Sequence, residues 1–504
     1  MKVSIRKIRK KVLSIRRLSD SPLILGLFSL IWLIFRSGTK PSRIVYPCQK
    51  AAAANSYLWL TIYIIPFLRA LTNKIFKRTN LKRRILPILL VVTIVGGSIV
   101  LWEAYEAIKK ETKQEIGIKI TEKMAKFEPA SSIFVVNGTK GNDYGILKLI
   151  DLMGENGLLF YKSPEYGKNK GPNGLIAKDD VVIIKVNSQW NERGGTNTDL
   201  VKALIQAILD HPDGFIGEIV VADNGQAQYG SAGSGGSFSW SRNNAENISQ
   251  SIQSVVDFFA GKNYRVSAYL WDTITTKRVG EYFEGDMEDG YVVNATINPR
   301  TGIMVSYPKF RTKFGTYISF KYGVWDPETK TYHSDKLKVI NFPVLKTHSI
   351  YGVTACVKHY MGVVSDKLTA MLGARAHNTV GKGGMGTEIV ETRFPTLNII
   401  DAIWVNAIPK GGPSTSYGEA TRVNVIAASI DPVALDYWAA KYILLEVARM
   451  KGYDGLDSMD PDNTEPGSFG YWLRLSMEEI KRAGYQVTVD EDYMNVYVSN
   501  LEQS

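Results

Sequence analysis

Cysteine is scarce in this chain: its 504 residues include only Cys48 and Cys356, which lie more than 300 positions apart. A disulfide framework or a zinc knuckle needs several cysteines, and an iron–sulfur cluster needs about four thiolates. We therefore expect neither a disulfide-stapled fold nor an iron–sulfur cofactor. Hydrophobic residues make up 45% and charged residues 22% of the chain, which is typical of a globular protein and excludes a mainly disordered one.

Acidic residues are almost absent from residues 1–102, which hold 19 of the 61 lysines and arginines but only one acid, Asp20. The other 42 basic residues face 48 acids in residues 103–504, so the net charge of +12 comes from the N-terminal part. A protein that binds a nucleic-acid duplex needs a basic patch on its folded domain. We therefore expect no nucleic-acid partner.

Long hydrophobic runs are confined to residues 1–102, and there are three of them: Pro22–Phe35, Ala51–Leu68 and Ile85–Trp102. A membrane-spanning helix needs about 20 apolar residues, so the last two runs are long enough and the first is short. The first run is also compatible with a signal-peptide core, although no small-residue cleavage site follows it. Residues 1–102 are thus predicted to form a membrane anchor with two or three transmembrane helices in the bilayer.

The basic residues around these runs predict their orientation. Eight lysines and arginines precede the first run, and six lie between residues 74 and 84. Because positive flanks stay in the cytoplasm, three spans would place residues 103–504 on the extracytoplasmic side of the cytoplasmic membrane. Residues 103–127 have mixed charge and helical spacing, which favours a juxtamembrane helix or stalk.

Residues 128–504 alternate between short Val- and Ile-rich runs and amphipathic stretches. Strand-like runs at Ser132–Gly138, Val181–Asn187 and Glu218–Asn224 are separated by helix-like stretches such as Asp199–Asp210. Such strands are buried on both faces, so the pattern predicts an α/β domain with a mostly parallel or mixed sheet and helices on both faces. Residues 281–332 are less regular and favour an antiparallel inserted subdomain.

Polar residues follow the predicted strands at their C-terminal ends, where parallel sheets bind ligands. Lys185 and Asn187 close one strand, Asp223 closes the next, and Thr196 precedes a predicted helix. Burying the charge of Lys185 is costly unless it is paired, and the other three residues lie at the same predicted edge. We therefore regard these four residues as candidate ligand-binding residues. For Thr198 and Asp199 a helix-capping role is the simpler interpretation, and for Asp223 a turn is an equally good one.

The richest segment is Val344–Val364, which contains Lys346, His348, Lys358 and His359. Three of the five histidines, His348, His359 and His377, fall within 30 residues. Ammonium groups attract anions and repel metal cations, so the lysines favour an anionic ligand. A metal site formed by His348, His377 and a distant carboxylate, and a purely structural role, remain open.

Three aspartates lie further along the chain. Asp431, before Pro432, has the spacing of a helix N-cap. Asp401 and Asp436 lie within apolar sequence and are candidate inward-facing carboxylates. The predicted catalytic residues are therefore His348, as acid or base, with Asp401 or Asp436 orienting its ring.

Several of these segments together resemble the family called domain of unknown function 362. The resemblance covers about residues 130–450 and rests on KVN with TNTD, VLKTH with TACVKHYMG, NIIDAI with GGP, and ASIDPVALD; YPCQKAAAAN resembles a sequence that precedes the domain in membrane-associated members. Some relatives carry ferredoxin-type cysteine runs, which this chain lacks, so the resemblance implies no electron-carrying cluster here. The family's activity is not established.

The sequence thus leads to three functional hypotheses. The first is a membrane-tethered extracytoplasmic domain that binds a small anionic molecule at a cleft lined by lysine and histidine, with an unassigned reaction. The second is a non-catalytic ligand-binding or scaffolding module of the cell envelope. The third is a hydrolase that depends on a divalent metal.

Overall fold

The computed structural model describes residues 28–29, 115–226, 235–370 and 373–501. The chain divides into two units, residues 1–106 and 107–504, and only Phe28 and Ser29 of the first unit, both helical, are described. Apart from these two positions, the predicted membrane segments lie outside the described residues. Within the described ranges, no helix is both long enough and apolar enough to cross a membrane.

The second unit alternates between strands and short helices. Its described strands are β1 (Ser131–Asn137), β2 (Tyr161–Lys162), β3 (Lys170–Gly171), β4 (Ile176–Ala177), β5 (Val181–Val186), β6 (Glu218–Asp223), β7 (Val266–Leu270), β8 (Gly290–Val293), β9 (Ser306–Arg311), β10 (Tyr317–Ser319), β11 (Gly323–Asp326), β12 (Thr331–His333), β13 (Leu337–Phe342), β14 (Val344–His348), β15 (Gly352–Thr354), β16 (Leu397–Asn406), β17 (Thr421–Ser429) and β18 (Met494–Asn500). Its described α-helices are α1 (Gly145–Glu155), α2 (Thr198–Leu209), α3 (Ile252–Ala260), α4 (Cys356–His359), α5 (Asp366–Ala370), α6 (Gly384–Glu391), α7 (Pro432–Ala439), α8 (Leu445–Met450) and α9 (Phe469–Arg482). The predicted α/β class is confirmed.

The main sheet contains ten of the described strands, eight of them in the order β18-β1-β17-β16-β13-β5-β6-β7. The run from β16 to β7 is parallel throughout, whereas β17 is antiparallel to both of its neighbours. β14 pairs parallel to β16, and β15 returns antiparallel to β14. The sheet is therefore mixed, and the C-terminal ends of β5, β6 and β14 lie at the same edge.

Both faces of this sheet are covered because the central strands are apolar on both sides. Side chains alternate along β5, so Val182 and Ile184 pack in the core that includes α1, α2 and α3, while Val181 and Ile183 pack on the other side. That second core includes residues of α4 and of α6 to α9. The sheet is thus the middle layer between two sets of helices.

Side chains that cap the first amides determine where two of the helices begin. Asn197 caps α2 by accepting hydrogen bonds from the amides of Asp199 and Leu200, so the capping role expected of Thr198 or Asp199 falls to the residue before them. Asp431 accepts from the amides of Val433 and Ala434 with Pro432 at the first helical turn of α7. The predicted N-cap at Asp431 is therefore confirmed.

Residues 290–333 form a separate antiparallel sheet, whose described strands follow the order β12-β11-β10-β9-β8. The inserted segment predicted at 281–332 therefore has an antiparallel sheet of its own. Tyr291, Phe310 and Phe320 from this sheet are fully buried in the same core as α4 and α6 to α9. The insertion is thus a layer of the folded unit and shares its core.

Of the predicted juxtamembrane helix or stalk, the helix is wrong over the described residues 115–127. This segment is not helical: the amide of Ile116 donates to Arg422 O at 2.9 Å, and that of Lys123 donates to Val496 O at 3.0 Å. Ile116 and Ile118 are buried in the core. The charges have helical spacing, but burial of the two isoleucines determines the conformation. Because Ile116 and Ile118 are two positions apart, both face the core only when the segment is extended.

Candidate functional site

A cavity of about 210 Å³ lies at the C-terminal edge of β5, β6 and β14. Five predicted ligand-binding residues line it together with the predicted acid or base His348, and so do His359 and His377. The lining residues that carry this argument are Lys185, Asn187, Asp223, Lys346, His348, Lys358, His359 and His377. Residues separated by almost 200 positions in the chain therefore share one hollow. Its volume is below the roughly 300 Å³ at which drug-sized pockets begin, so it suits a small ligand.

Asp223 is the one carboxylate among the described residues that line the cavity, and it is already paired. Lys185 Nζ lies 2.7 Å from Asp223 Oδ1, and both side chains are almost fully buried. Ser188 donates to Asp223 Oδ2 from its amide at 2.7 Å and from its hydroxyl at 3.0 Å. A Cβ at Gly362 would lie 2.4 Å from Asp223 Oδ1, so only glycine leaves room for the ion pair there. Lys185 and Asp223 thus form a satisfied structural pair in the cavity wall.

Lys346 and Lys358 supply the remaining positive charge. Lys346 Nζ donates to the carbonyl of Gly194. Burial and the charge of Lys358 lower the pKa of Lys346 to about 7. Burial lowers the pKa of Lys358 to about 8, although Asp366 opposes the shift. Two ammonium groups in one buried cavity repel each other, and an anion between them removes that repulsion.

The ring of His348 is held by main-chain amides. Its Nδ1 accepts hydrogen bonds from the amides of Ile350 at 3.1 Å and Tyr351 at 3.2 Å. The proton of the neutral ring therefore lies on Nε2, as inferred from these two donors. Burial, together with Lys358, His377 and Lys346, lowers the pKa of His348 to about 2. His348 is thus a neutral hydrogen-bond donor at the cavity.

His377 has the opposite arrangement. Its Nδ1 is hydrogen-bonded to Asp366 Oδ2, which also accepts from Arg375 Nε at 2.7 Å. Burial raises the pKa of Asp366, but hydrogen bonds from His377 and Arg375 outweigh this effect and leave that pKa below its ordinary value. A carboxylate on Nδ1 fixes the proton there, so Nε2 carries the lone pair that can accept a proton.

His359 is fully buried beneath these groups. Its Nδ1 lies 2.6 Å from Asn341 Oδ1, and Asn341 Nδ2 donates to the carbonyl of Cys356 at 3.0 Å. Burial holds the pKa of His359 well below its ordinary value. His359 therefore lines the cavity, and its hydrogen bond to Asn341 ties it to the sheet.

The predicted role of Asp401 and Asp436 in orienting His348 is wrong. Asp401 Oδ2 accepts from the amide of Asn197 at 2.9 Å and from Asn244 Nδ2 at 3.1 Å. Asp436 accepts from the amides of Cys356 at 2.6 Å and Val357 at 2.9 Å, at the start of α4. Neither aspartate lines the cavity, and each fixes backbone close to a cavity residue.

Thr196 is also misassigned as a ligand-binding residue. Its hydroxyl donates to the carbonyl of Phe342 and accepts from the amide of Asn187, both at 2.8 Å, and it does not line the cavity. Asn187 lines the cavity, but its Oδ1 accepts from the amide of Val344 at 2.9 Å. Both residues thus join the ends of β5, β13 and β14.

A divalent-metal site lacks ligands here. Among the described residues, no three His, Cys, Asp or Glu side chains are grouped so that they could hold a metal ion. His348 and His377 share the cavity, but the nearest acids are already engaged: Asp223 with Lys185 and Asp366 with His377. The carboxylate that the metalloenzyme hypothesis requires as a third ligand, beside His348 and His377, is therefore not supplied by the described residues.

Sequence reasoning missed three contributors. Asp366 orients His377 from eleven residues earlier, the carbonyl of Gly194 accepts from Lys346, and Ser188 supports Asp223. A polar Ser directly after the Lys185–Asn187 strand end was a signal for the last of these. The carbonyl of Gly194 had none, because a main-chain acceptor is available at every residue.

Comparison with known proteins matches residues 330–441 to a family described as Domain of unknown function (DUF362). This segment is similar to the DUF362 family. It includes Lys346, His348, Lys358 and His377, whereas Lys185 and Asp223 lie outside the DUF362 match. No curated protein and no solved structure matches the chain significantly. The resemblance predicted from the sequence is confirmed over residues 330–441, and this segment forms part of the cavity.

Proposed function

We propose that the cavity binds a small anionic molecule. The observation that carries the proposal is the charge balance of the cavity: Lys346 and Lys358 line it, and the one carboxylate among its described lining residues is already paired with Lys185. An anion is therefore the ligand that lowers the electrostatic energy of this site most. The modest volume of about 210 Å³ favours a compact molecule such as a short carboxylate.

The cavity also offers neutral hydrogen-bonding groups to such a ligand. His348 presents Nε2–H as a donor, because its Nδ1 is occupied by two amides. The hydroxyl of Thr354 lines the cavity and has no partner among the described residues. Buried polar atoms are nearly always satisfied by protein, water or ligand, so Thr354 supports a polar occupant.

His377 gives the site a group that can accept a proton from the bound molecule. Asp366 fixes its tautomer, as carboxylates do in catalytic histidine pairs, and leaves Nε2 as the acceptor. The reaction class we propose is therefore proton transfer on the bound anion, with His377 as the base.

Binding is tested by titrating acetate and inorganic phosphate calorimetrically into the full chain purified in detergent. Lys346→Met should weaken the preferred anion about tenfold or more, because one charge-assisted hydrogen bond is lost. Lys382→Met is the matched control, since Lys382 is exposed and does not line the cavity. No binding of either anion, or equal weakening by both variants, refutes the proposal.

We also propose that this unit is tethered to the cytoplasmic membrane and lies on its extracytoplasmic side. The support is the sequence: three apolar runs with basic flanks precede residue 103. Alkaline phosphatase fused after Ser504 should be active in cells, whereas the same enzyme fused after Asn80 should be inactive. The opposite pattern would place the cavity in the cytoplasm.

A further inference from the structure

Four lysines of the described chain are buried, and three of them have a hydrogen-bond acceptor. Lys185 pairs with Asp223, Lys309 lies 3.5 Å from Asp286 Oδ1, and Lys346 donates to Gly194 O. Lys358 is only 5% exposed, and its ammonium makes no hydrogen bond or ion pair with another described residue. Its Nζ lies over the ring of Tyr351, at 5.3 Å from the ring centroid.

A buried ammonium without an acceptor is costly, so this environment favours the neutral amine. The shift in the pKa of Lys358 to about 8 has the same cause and the same direction. Near neutral pH the amine fraction of Lys358 is then roughly a hundredfold larger than that of an ordinary lysine. A neutral lysine amine is a nucleophile towards carbonyl carbon.

We propose that Lys358 condenses with the carbonyl group of a small 2-oxo acid and forms an imine in the cavity. The proposal rests on the proposed function, because the carboxylate of such an acid is the anion assigned there. Lys346 and the Nε2–H of His348 line the same cavity and can hold that carboxylate. A carboxylate beside Lys346 restores the proton of Lys346, which leaves Lys358 as the reacting amine.

The step balances without a further reactant. The Lys358 nitrogen forms a bond to the carbonyl carbon, and the carbon–oxygen bond breaks after the oxygen has received both amine protons, so water leaves. No group is oxidised or reduced. His377, whose Nε2 is unprotonated, takes a proton from nitrogen and delivers it to the departing oxygen. Asp366 acts only by positioning this ring.

The imine is tested by incubating the full chain with pyruvate, reducing with borohydride and mapping the modified lysine by mass spectrometry. We expect a carboxyethyl group on Lys358 at a level at least tenfold above that on exposed lysines such as Lys382, in line with the larger amine fraction. Lys358→Arg should lose this modification, because the guanidinium of arginine does not form the imine. Lys382→Arg should change neither.

The outcomes separate the two proposals. Pyruvate binding measured by calorimetry without any adduct on Lys358 overturns the imine and leaves the anion site intact. Labelling spread evenly over exposed lysines overturns it as well. If pyruvate, acetate and phosphate all fail to bind, the proposed function fails and the imine fails with it. Persistent trapping in Lys358→Arg at another cavity lysine would reassign the nucleophile.

Discussion

At the scale of single residues, the partners of each buried group determine what it can do in the cavity. Lys185 and Lys358 are both buried, but only Lys185 has a carboxylate. His348 and His377 are both imidazoles, but amides hold one ring nitrogen of His348 and a carboxylate holds one of His377. The first ring therefore donates a hydrogen bond and the second accepts a proton. Residue type alone predicts none of these differences.

The unpaired ammonium of Lys358 should appear in the pH dependence of stability. Its pKa is about 8 in the folded chain and 10.5 for an ordinary lysine, so between these values the unfolded chain binds more protons. This contribution therefore makes the free energy of unfolding rise with pH, by about 3 kcal/mol in total. Lys358→Met should remove this contribution. As the pH falls from about 10.5 to about 8, the free energy of unfolding measured in urea should therefore fall for the natural protein relative to the variant. A difference in the free energy of unfolding between the two proteins that does not change with pH contradicts this account.

The pairing of Asp366 with His377 predicts the direction of a second shift. The carboxylate raises the pKa of His377 against the larger opposing effect of burial. Asp366→Asn should therefore lower the pKa of His377 further, as NMR titration of the ring would report. An unchanged or higher pKa would show that Asp366 does not act on this ring. Asp457→Asn, at an exposed position, is the control.

At the scale of elements, the short helix α4 places Lys358, and its start depends on Asp436. Two main-chain amides at Cys356 and Val357 donate to this buried carboxylate. A helix of four residues cannot satisfy its own first amides, so the carboxylate takes the place of a cap. Asp436 thus acts on the site indirectly, from a helix that packs behind it.

Asp436→Asn tests this role. The side chain of asparagine keeps one oxygen that accepts a hydrogen bond, but its NH2 group would face the second main-chain N–H, which then loses its acceptor. We expect a loss of about 1–3 kcal/mol in the free energy of unfolding and weaker acetate binding, although Asp436 does not line the cavity. Denaturation in urea and calorimetry measure the two effects. Asp454→Asn, exposed and remote in sequence, serves as control. Normal stability with normal binding would be evidence against the cap.

Sequence periodicity predicted the elements well, because the β5 and β6 strands are apolar at nearly every position. The gathering of Lys185 and Asp223 at one edge followed from their places at the ends of β5 and β6, whereas Lys358 comes from α4. The roles of Thr196, Asp401 and Asp436 could not be predicted, because each binds backbone from a distant segment. A lone polar residue has the same sequence appearance whether it binds a ligand or an amide.

At the scale of the whole molecule, residues 115–127 connect the folded unit to the sequence that precedes it. Ile116 and Ile118 insert into the main core, and the backbone pairs with β17 and β18. This segment is therefore part of the folded unit. The folded unit begins before residue 128, the start predicted from composition.

Ile118→Ala tests how firmly this segment is attached. Ile118 is 7% exposed in the core, so truncation should lower the free energy of unfolding by about 2–4 kcal/mol. Ile120→Ala, at a partly buried neighbour, should cost less. Equal and small losses in urea unfolding would mean that the segment rests loosely on the surface.

The anion site is tested most directly by a crystal structure of the protein grown with pyruvate. The account predicts density for pyruvate in the hollow at the ends of β5, β6 and β14, with its carboxylate against Lys346 and His348 and its second carbon next to Lys358 Nζ. An empty hollow at saturating pyruvate, or a cation bound between the two lysines, would contradict the central claim.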